Sequence, residues 1–499
     1  MEPRTERRRH QRKISNIRAT CRIGNTEIAA YTHDLSLDGM FLQSGVLIDE
    51  GEVFPMGFTL PGEKAPFEGF ARVVYQDRLP EAQLKLKSQG MGLEISGRSG
   101  RDERVLSAFV ARIPSVRSPE RLEVVKVTTR GDLERFIDLP FRLYRNDPYW
   151  VPPLKKEMHA VLGEENPFLE HGEMDLFTVK DRGTVVGRIA AIVDHSFIDL
   201  YKEKVGYFGF FECIPDFEVA RRLFDTAAAA LRAKGMERIR GPLSPSLNDE
   251  ICFLAEGFDS PPNIMMPYNP LYYNNFARGY GMGKVKDFFS LWVNLKKELP
   301  QGLMDTLKNA ENNGVVFRKF DMKHFSRDVE LLRTLNNQSW LEAGHWGFVP
   351  ITQEEMNYIA GNFKKIADPN LIFFAELSGT PVGYVINLPN FFPALKELKG
   401  RMTPLGIARF LYRLRTVRNV RAVSVGVLKQ YGGRQIALSL FVKSILEMQA
   451  RGYESMEYVW VMEDNKASLG IVSKFNGRLL KRYRMYELPL ADHRRVCSS

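Results

Sequence analysis

Apolar positions along this chain follow two different rhythms, and the change between them divides the chain into parts. From residue 1 to residue 112, short apolar runs alternate with polar turns that are rich in glycine and proline. Runs of that length and spacing predict a small antiparallel β-barrel. Residues 113–119 contain two prolines among polar and charged residues. That composition predicts a linker between domains.

Residues 120–295 and residues 300–490 each combine strand and helix patterns, which predicts two α/β modules. In each module a strand pair flanks a short turn, at Arg182-Gly183-Thr184 and at Ser378-Gly379-Thr380. A third strand follows, and then a helix with apolar residues three and four apart, within residues 218–235 and 434–452. Because the order of elements repeats while the sequence does not, we interpret the two modules as copies of one fold.

Composition and charge narrow the class of protein. The formal charge of +10 favours anionic partners, and basic residues crowd the first eighteen positions. No apolar stretch approaches the roughly 18–20 residues that cross a bilayer, and the charged start does not resemble a signal peptide, so a cytoplasmic protein is expected. The four cysteines are scattered without a CxxC pair or clustered histidines, so neither a disulfide framework nor a metal site is expected.

Arginine and small polar residues form two motifs in the first part. The first is the RxxxR spacing in Arg8-Arg9-His10-Gln11-Arg12, and the second is Asp34-Leu35-Ser36-Leu37-Asp38-Gly39. A guanidinium fork matches a phosphate, or the N7 and O6 edge of a guanine. A short acceptor, a hydroxyl and a glycine backbone could contact the remaining polar groups of such an anionic ligand. A solvated arginine tail that contacts nucleic acid weakly is the alternative interpretation.

Together the two motifs resemble those of the PilZ domain, over roughly residues 5–112. The strand pattern at residues 90–96 is similar to the strand that usually follows in that barrel. The resemblance implies that cyclic di-GMP is the ligand, with no nucleic acid as partner. The residues that it implies as ligands of the nucleotide are Arg8, Arg9, Arg12, Asp34, Ser36 and Gly39.

The order of strands and helices in both later modules resembles the GNAT acyltransferase superfamily. That resemblance implies an acyl-coenzyme A site where the fourth strand meets the long helix, because helix N–H groups bind the pyrophosphate there. In residues 300–490 this junction holds paired glycines and two basic side chains, although Gln435 stands where the family has its central glycine. The residues implied for acetyl- or acyl-coenzyme A are Val427, Lys429, Gly432, Gly433, Arg434, Ala437 and Asn465. A plain strand-to-helix turn is the alternative.

Catalytic groups are harder to assign from the sequence. Val472 occupies the position where many GNAT enzymes carry a tyrosine that protonates the leaving thiolate. Tyr431 is the candidate substitute for that acid, and Glu376, on a predicted strand, is a candidate base. His345 could also act as a base, although a packed or surface histidine is the commoner case.

The module at residues 120–295 differs at the corresponding junction. Glu212, Asp216 and Glu218 stand where phosphates would lie, so a degenerate donor site is expected there. Its polar loops at residues 146–153, 241–250 and 266–270 are interpreted either as a pocket wall or as turns.

The sequence therefore predicts a multidomain protein: a PilZ-like β-barrel followed by two GNAT-like α/β modules. The expected function is a cyclic di-GMP-binding effector whose output region is an acyl-coenzyme A-dependent N-acyltransferase regulated by the nucleotide, with an amine-bearing acceptor. The alternative is a non-catalytic effector in which the GNAT-like halves bind a partner protein or ligand. A test of acetyl-coenzyme A binding would distinguish the acyltransferase from the non-catalytic effector, because only the acyltransferase is expected to bind it.

Overall fold

A computed structural model describes residues 13–14, 18–23, 26–35, 39–43, 48–58, 67–77, 90–96 and 121–491, apart from residues 365 and 366.

Seven strands make up the described part of the N-terminal region. They are β1 (Lys13–Ile14), β2 (Arg18–Ile23), β3 (Thr26–Leu35), β4 (Gly39–Gln43), β5 (Val53–Phe58), β6 (Phe67–Asp77) and β7 (Gly90–Ser96). Their order in the sheet is β1-β3-β2-β5-β6-β7-β4, and β4 also pairs with β3. Along β5, buried Phe54, Met56 and Phe58 alternate with Val53 and Pro55 at the surface, as expected of strands with one apolar face.

The first α/β half begins at residue 122. Its strands are β8 (Leu122–Lys126), β9 (Gly172–Asp181), β10 (Thr184–Asp194), β11 (Val205–Cys213), β12 (Arg238–Gly241), β13 (Leu243–Ser244), β14 (Glu250–Ile251), β15 (Phe253–Glu256) and β16 (Gly283–Asn294). Its helices are α1 (Arg130–Leu143), α2 (Lys155–Leu162), α3 (His195–Tyr201), α4 (Phe217–Ala233) and α5 (Tyr272–Gly279).

The second half follows the same order. Its strands are β17 (Val315–Lys319), β18 (Ile372–Leu377), β19 (Thr380–Pro389), β20 (Asn419–Val427), β21 (Ser455–Met462) and β22 (Arg478–Pro489). Its helices are α6 (Gln301–Asn312), α7 (Phe325–Glu342), α8 (Gln353–Phe363), α9 (Phe392–Leu395), α10 (Pro404–Leu414), α11 (Ile436–Ala450) and α12 (Lys466–Ser473).

Each half contains four antiparallel strands followed by a parallel crossover. In the first half β8, β9, β10 and β11 pair in sequence, and α4 leads from β11 to the parallel strand β12. In the second half β17, β18, β19 and β20 do the same, and α11 leads to β21. The predicted turns join β9 to β10 and β18 to β19, with Gly183 and Gly379 at φ near +79° and +76°. This tandem topology is the GNAT fold that the sequence pattern predicted.

The two halves are completed by exchanging their last strands. β16 of the first half pairs with β21 of the second, and β22 of the second half pairs with β12 of the first. β16 and β22 also pair with each other in antiparallel fashion, from Gly283 with Glu487 to Trp292 with Arg478. One continuous sheet therefore runs through both halves, and the line along β16 and β22 is called the seam below.

Helices cover both faces of this sheet. Ile189 and Ala191 of β10 pack in one core with α4, whereas Ala190 and Ile192 pack on the other face with α1. That second core also takes in Val349, Val459 and Met462 from the second half, so it crosses the seam. No helix among the described residues is both long and apolar enough to span a bilayer.

Candidate functional site

A gap opens in the sheet between β20 and β21. The two parallel strands pair only from Asn419–Ala422 to Ser455–Tyr458. Beyond that point β20 continues against β19 and β21 continues against β16. The register of β20 also shifts at Val423, which forms a β-bulge. One edge of β20 therefore faces the gap from Val423 to Val427.

Backbone groups of β20 point into this gap. The Leu428 N–H donates to the Val382 carbonyl of β19 at 3.0 Å. Because successive residues of an antiparallel strand turn their N–H and C=O groups to opposite sides, Val425 and Val427 direct theirs away from β19. An extended ligand lying between β20 and β21 would meet these two peptide groups.

The connection from β20 to α11 brings most of the predicted donor residues together. Gly433 has φ near +79° and Gln435 has φ near +58°, so the chain turns sharply before the helix. Lys429 and Arg434 are exposed here, and the Arg434 guanidinium lies 5.8 Å from the Tyr431 ring. In the described structure the Gln435 side chain makes no capping hydrogen bond, and the first turn of α11 is uncharged. Its N–H groups are therefore not capped by that side chain.

Asn465, the remaining residue predicted to bind the acyl donor, lies away from this connection, at the start of α12. Its side chain accepts a hydrogen bond from the Ser468 N–H at 3.0 Å and caps α12. Val472 of the same helix is buried in the core of the second half.

The corresponding region of the first half is filled by protein. Ser244 Oγ accepts a hydrogen bond from the Phe210 N–H at 3.0 Å, and a Cβ on Gly209 would lie 1.7 Å from the Leu243 carbonyl oxygen. At the start of α4 the Asp216 carboxylate accepts from the Glu218 N–H at 3.0 Å. The gap and the helix end that lie open in the second half are thus closed in the first.

The polar loop at residues 241–252 places two adjacent carboxyl groups on the α1 face of the sheet. Ser246 Oγ donates to the Asp249 carboxylate at 2.7 Å, and Asn248 Nδ2 donates to the Val349 carbonyl of the second half at 3.3 Å. Burial raises the pKa of Asp249 to about 6. Glu250 keeps solvent access, yet the surrounding protein displaces enough water to raise its pKa to about 7.

Neighbouring charges adjust the pKa of Glu250 further. After desolvation, repulsion from Asp249 raises it, and attraction to the Arg421 guanidinium lowers it. Arg421 lies on β20 within the last paired segment before the gap opens. A carboxyl group of the first half therefore stands within electrostatic reach of the strand that lines the gap of the second half.

Buried polar groups of both halves surround Arg421. The Arg421 guanidinium donates to the Ile264 carbonyl, and burial lowers the pKa of this arginine to about 10. Glu457 of β21, opposite Arg421 in register, accepts from Asn263 Nδ2 at 2.9 Å and from Ser290 Oγ. Tyr483 of β22 is fully buried, and among the described residues its hydroxyl has no hydrogen-bond partner. This cluster draws on five separate segments of the chain, so no local pattern in the sequence predicts it.

The two predicted catalytic residues occupy other places. Glu376 lies on β18, two strands from β20, where its carboxylate pairs with the Arg318 guanidinium at 2.8 Å. Arg318 also binds Asp328 at 2.7 Å, so Glu376 belongs to an ion-pair network. Tyr431 lies in the connection between β20 and α11, residues 428–435, which is called the donor loop below. Its side chain is half-buried against cores of the second half.

A cleft of about 380 Å³ lies between the two halves. Its lining includes Tyr201 and Arg240 from the first half and His345 and Trp346 from the second. The Trp346 ring receives the Arg240 guanidinium at 5.0 Å. Burial lowers the pKa of His345, which favours its neutral form.

The predicted nucleotide ligands are only partly described. Arg8, Arg9, Arg12 and Ser36 lie outside the described residues. Asp34 lies on β3, and Gly39 begins β4, the strand that pairs with β3.

Comparison with protein families identifies residues 6–112 as a PilZ domain. This match confirms the prediction made from the RxxxR and DxSxxG motifs.

Relatives of known sequence cover most of the chain. The bacterial ceramide synthase of Caulobacter vibrioides is 34% identical over 377 residues, which is 74% of this chain and 98% of that protein. Protein YghO of Escherichia coli is 31% identical over 364 residues, 72% of this chain and 93% of that protein.

A solved structure, a tandem GNAT protein from the clavulanic acid biosynthesis pathway, aligns with 74% of this chain and 98% of its own. It has 14% identity and a TM-score of 0.44. On the sequence identity, this chain belongs to the family of the Caulobacter ceramide synthase and YghO, and it carries a PilZ domain at its N-terminus.

Proposed function

We propose that the chain is an acyl-coenzyme A-dependent N-acyltransferase whose acceptor is a long-chain amine. A ceramide is the amide of a fatty acid with a long-chain amino alcohol, and the relative of Caulobacter vibrioides bears the name of a ceramide synthase. The observation that carries the proposal is the position of Glu250, an exposed carboxyl group of the first half within electrostatic reach of Arg421 on the strand that lines the gap.

The donor site is proposed for the gap and the helix end of the second half. The pantetheine arm would lie between β20 and β21 against the peptide groups of Val425 and Val427. The pyrophosphate would meet the N-terminus of α11, with Lys429 and Arg434 supplying positive charge. The filled gap and acidic cap of the first half favour a single donor site in each chain.

The chemistry needs one base and one proton donor. Ionised Glu250 accepts a proton from the substrate ammonium, and the amine nitrogen then attacks the thioester carbonyl carbon. A C–N bond forms, the C–S bond breaks, and the Tyr483 hydroxyl donates its proton to the thiolate sulfur. Glu250 releases the first proton to water, and the second proton, which the nitrogen loses as it becomes an amide, is returned to the Tyr483 oxygen, so both side chains regain their starting forms. A pKa near 7 keeps a large fraction of Glu250 ionised at neutral pH, which suits a general base.

The test combines turnover with donor binding. The full chain is supplied with a long-chain acyl-coenzyme A and a long-chain amino alcohol, and amide and free thiol are both measured. Glu250→Gln should lower turnover at least about 100-fold, the range of a lost general base, while acyl-coenzyme A still binds. Glu256→Gln is the control, since Glu256 is an exposed carboxylate that pairs with Arg482. Equal turnover in wild type and Glu250→Gln would contradict the assignment of the base.

We also propose that the PilZ domain binds cyclic di-GMP and that the nucleotide regulates acyl transfer. The match over residues 6–112 supports this second function. The additional pairing of β3 with β4 favours closure of the strands into the small barrel predicted from the sequence. Arg8, Arg9, Arg12, Asp34, Ser36 and Gly39 are the proposed ligands.

Calorimetry at fixed salt tests the nucleotide site. Wild type should bind cyclic di-GMP and not GMP, and Arg8→Ala with Arg12→Ala should abolish binding. Turnover measured with and without nucleotide then gives the sign of regulation. Binding that persists in the double variant would exclude the RxxxR motif as the site.

A further inference from the structure

The connection between β19 and β20 is far longer than its counterpart in the first half. Residues 195–204 join β10 to β11 and contain only the short helix α3. Residues 390–418 join β19 to β20 and contain α9 and α10. Residues 399–418 of this connection are called the docking segment below.

The docking segment exposes large apolar side chains. Met402 is 63% exposed, Leu405 63%, Leu411 56% and Tyr412 66%. Of the eleven residues of α10, only Gly406 is buried in the described structure. Four large exposed apolar side chains within eleven consecutive residues indicate an interaction site, because single exposed apolar residues are normally scattered.

The docking segment and the residues that follow it carry only positive charge. Between Leu398 and Leu446 the sequence has ten Lys and Arg residues and neither Asp nor Glu. The docking segment itself carries Lys399, Arg401, Arg409, Arg413, Arg415 and Arg418. Arg413 meets Glu397 at 3.3 Å, just before the segment begins. An anionic partner is therefore complementary to this surface.

The segment is held firmly against the first half. The Lys155 N–H donates to the Gly400 carbonyl at 3.1 Å, and Lys396 Nζ donates to the Pro148 carbonyl. Gly400 has φ near +78°, and a Cβ there would lie 2.4 Å from the Phe141 ring. The chain is therefore anchored to the first half at residues 396–400, just before α10 begins.

We propose that α10 is an interfacial helix that docks the protein on an anionic lipid bilayer. A helix of eleven residues is about 16 Å long, which is too short to span a bilayer and suited to lie in its surface. Leucine and tyrosine side chains would enter the acyl boundary while the arginines contact lipid phosphates. The docking rests on the helix and its charge, and does not depend on the proposed reaction.

The docking segment and the donor loop lie at opposite ends of β20, so the two substrates would enter from opposite sides. β20 has nine residues, so its two ends lie roughly 25 Å apart. The docking segment precedes Asn419 at one end, and the donor loop follows Val427 at the other. A bilayer at the first end could supply a lipid amine while a water-borne acyl-coenzyme A enters at the second.

Vesicle sedimentation of the full chain tests the proposal. The probes are phosphatidylcholine vesicles with and without one-third phosphatidylglycerol. Wild type should bind the anionic vesicles more tightly, and Leu405→Glu with Leu411→Glu should weaken binding at least tenfold. Arg409→Gln with Arg413→Gln should weaken binding to anionic vesicles about fivefold per arginine. Val316→Glu with Leu479→Glu, which changes exposed apolar residues elsewhere, is the matched control.

Two outcomes would overturn the proposal. Binding that survives both helix variants but disappears in Arg8→Ala, Arg9→Ala, Arg12→Ala would assign the membrane contact to the N-terminal tail. A dimer that Leu405→Glu with Leu411→Glu converts to a monomer, with unchanged vesicle binding, would assign α10 to contact with a second copy. Because vesicle binding is measured without turnover, its failure is distinct from failure of the proposed reaction.

Discussion

Among single residues, the adjacent carboxyl groups of Asp249 and Glu250 make the sharpest electrostatic prediction. Glu250 must be ionised to act as a base, so kcat/KM should rise with pH and reach half its plateau near pH 7. Repulsion from Asp249 helps to raise that pKa, so Asp249→Asn should move the midpoint to lower pH. The pH–rate profile measures the shift, and Glu256→Gln should leave the midpoint in place. A midpoint that moves upward in Asp249→Asn would contradict the coupling.

Loss of the hydroxyl group should affect two tyrosines of β22 differently: it should lower turnover at Tyr483 and stability at Tyr486. Tyr483→Phe should lower turnover about 100-fold through loss of the proton donor, with little loss of stability because the hydroxyl is unpaired in the described structure. Tyr486→Phe should lower the free energy of unfolding by about 1 kcal/mol, since its hydroxyl donates to Asn274 at 3.1 Å. Turnover and denaturation curves of both variants check this. Equal turnover in Tyr483→Phe and wild type would exclude the assigned donor.

At the scale of elements, the N-terminus of α11 should select for the phosphates of the acyl donor. Lys429→Gln with Arg434→Gln should weaken acyl-coenzyme A binding several-fold, because both charges flank the helix end. Binding of an acyl-pantetheine, which lacks the pyrophosphate, should be nearly unchanged. Calorimetry with both ligands measures the difference, and Lys443→Gln farther along α11 is the control. If the double variant bound both ligands equally more weakly, Lys429 and Arg434 would not contact the phosphates.

The sequence pattern predicted individual turns and helices better than any other part of the fold. The two hairpin turns and the helices α4 and α11 stand where the sequence predicted them, because turn residues and apolar spacing act over a few neighbours. The polar loop at residues 241–250 was interpreted as pocket wall or turn, and its role could not be decided locally. Ser246 and Asp249 do form a turn, yet that turn also brings Glu250 within electrostatic reach of Arg421 in the second half.

On the scale of the whole molecule, His171 links the two halves. Its Nδ1 lies 3.3 Å from the Asp194 carboxylate, and its Nε2 lies 3.1 Å from the Glu355 carboxylate of α8 in the second half. Hydrogen bonds to Asp194 and then to Glu355 raise the pKa of His171 to about 10. The protonated ring therefore bridges two carboxylates across the interface.

This bridge predicts a pH dependence of stability. Because the pKa of His171 is raised on folding, its contribution is complete below the unfolded value of about 6.5 and is lost as pH rises through about 10. His171→Gln should therefore lower the midpoint of urea unfolding more at pH 6 than at pH 10. His195→Gln, at an exposed pair with Glu173, is the control variant. A loss that is equal at both pH values would show that the bridge is not a protonated one.

The sequence by itself determined the parts of this protein and their order. The nucleotide motifs, the strand-rich first region and the repeated strand and helix patterns all depend on residues close together in the chain. The tertiary structure alone decided that β16 and β22 change places, because strand pairing between remote segments leaves no local pattern. It also decided that the charge of Glu250 acts on Arg421 and Tyr483, since burial and charge at one residue depend on neighbours from distant segments.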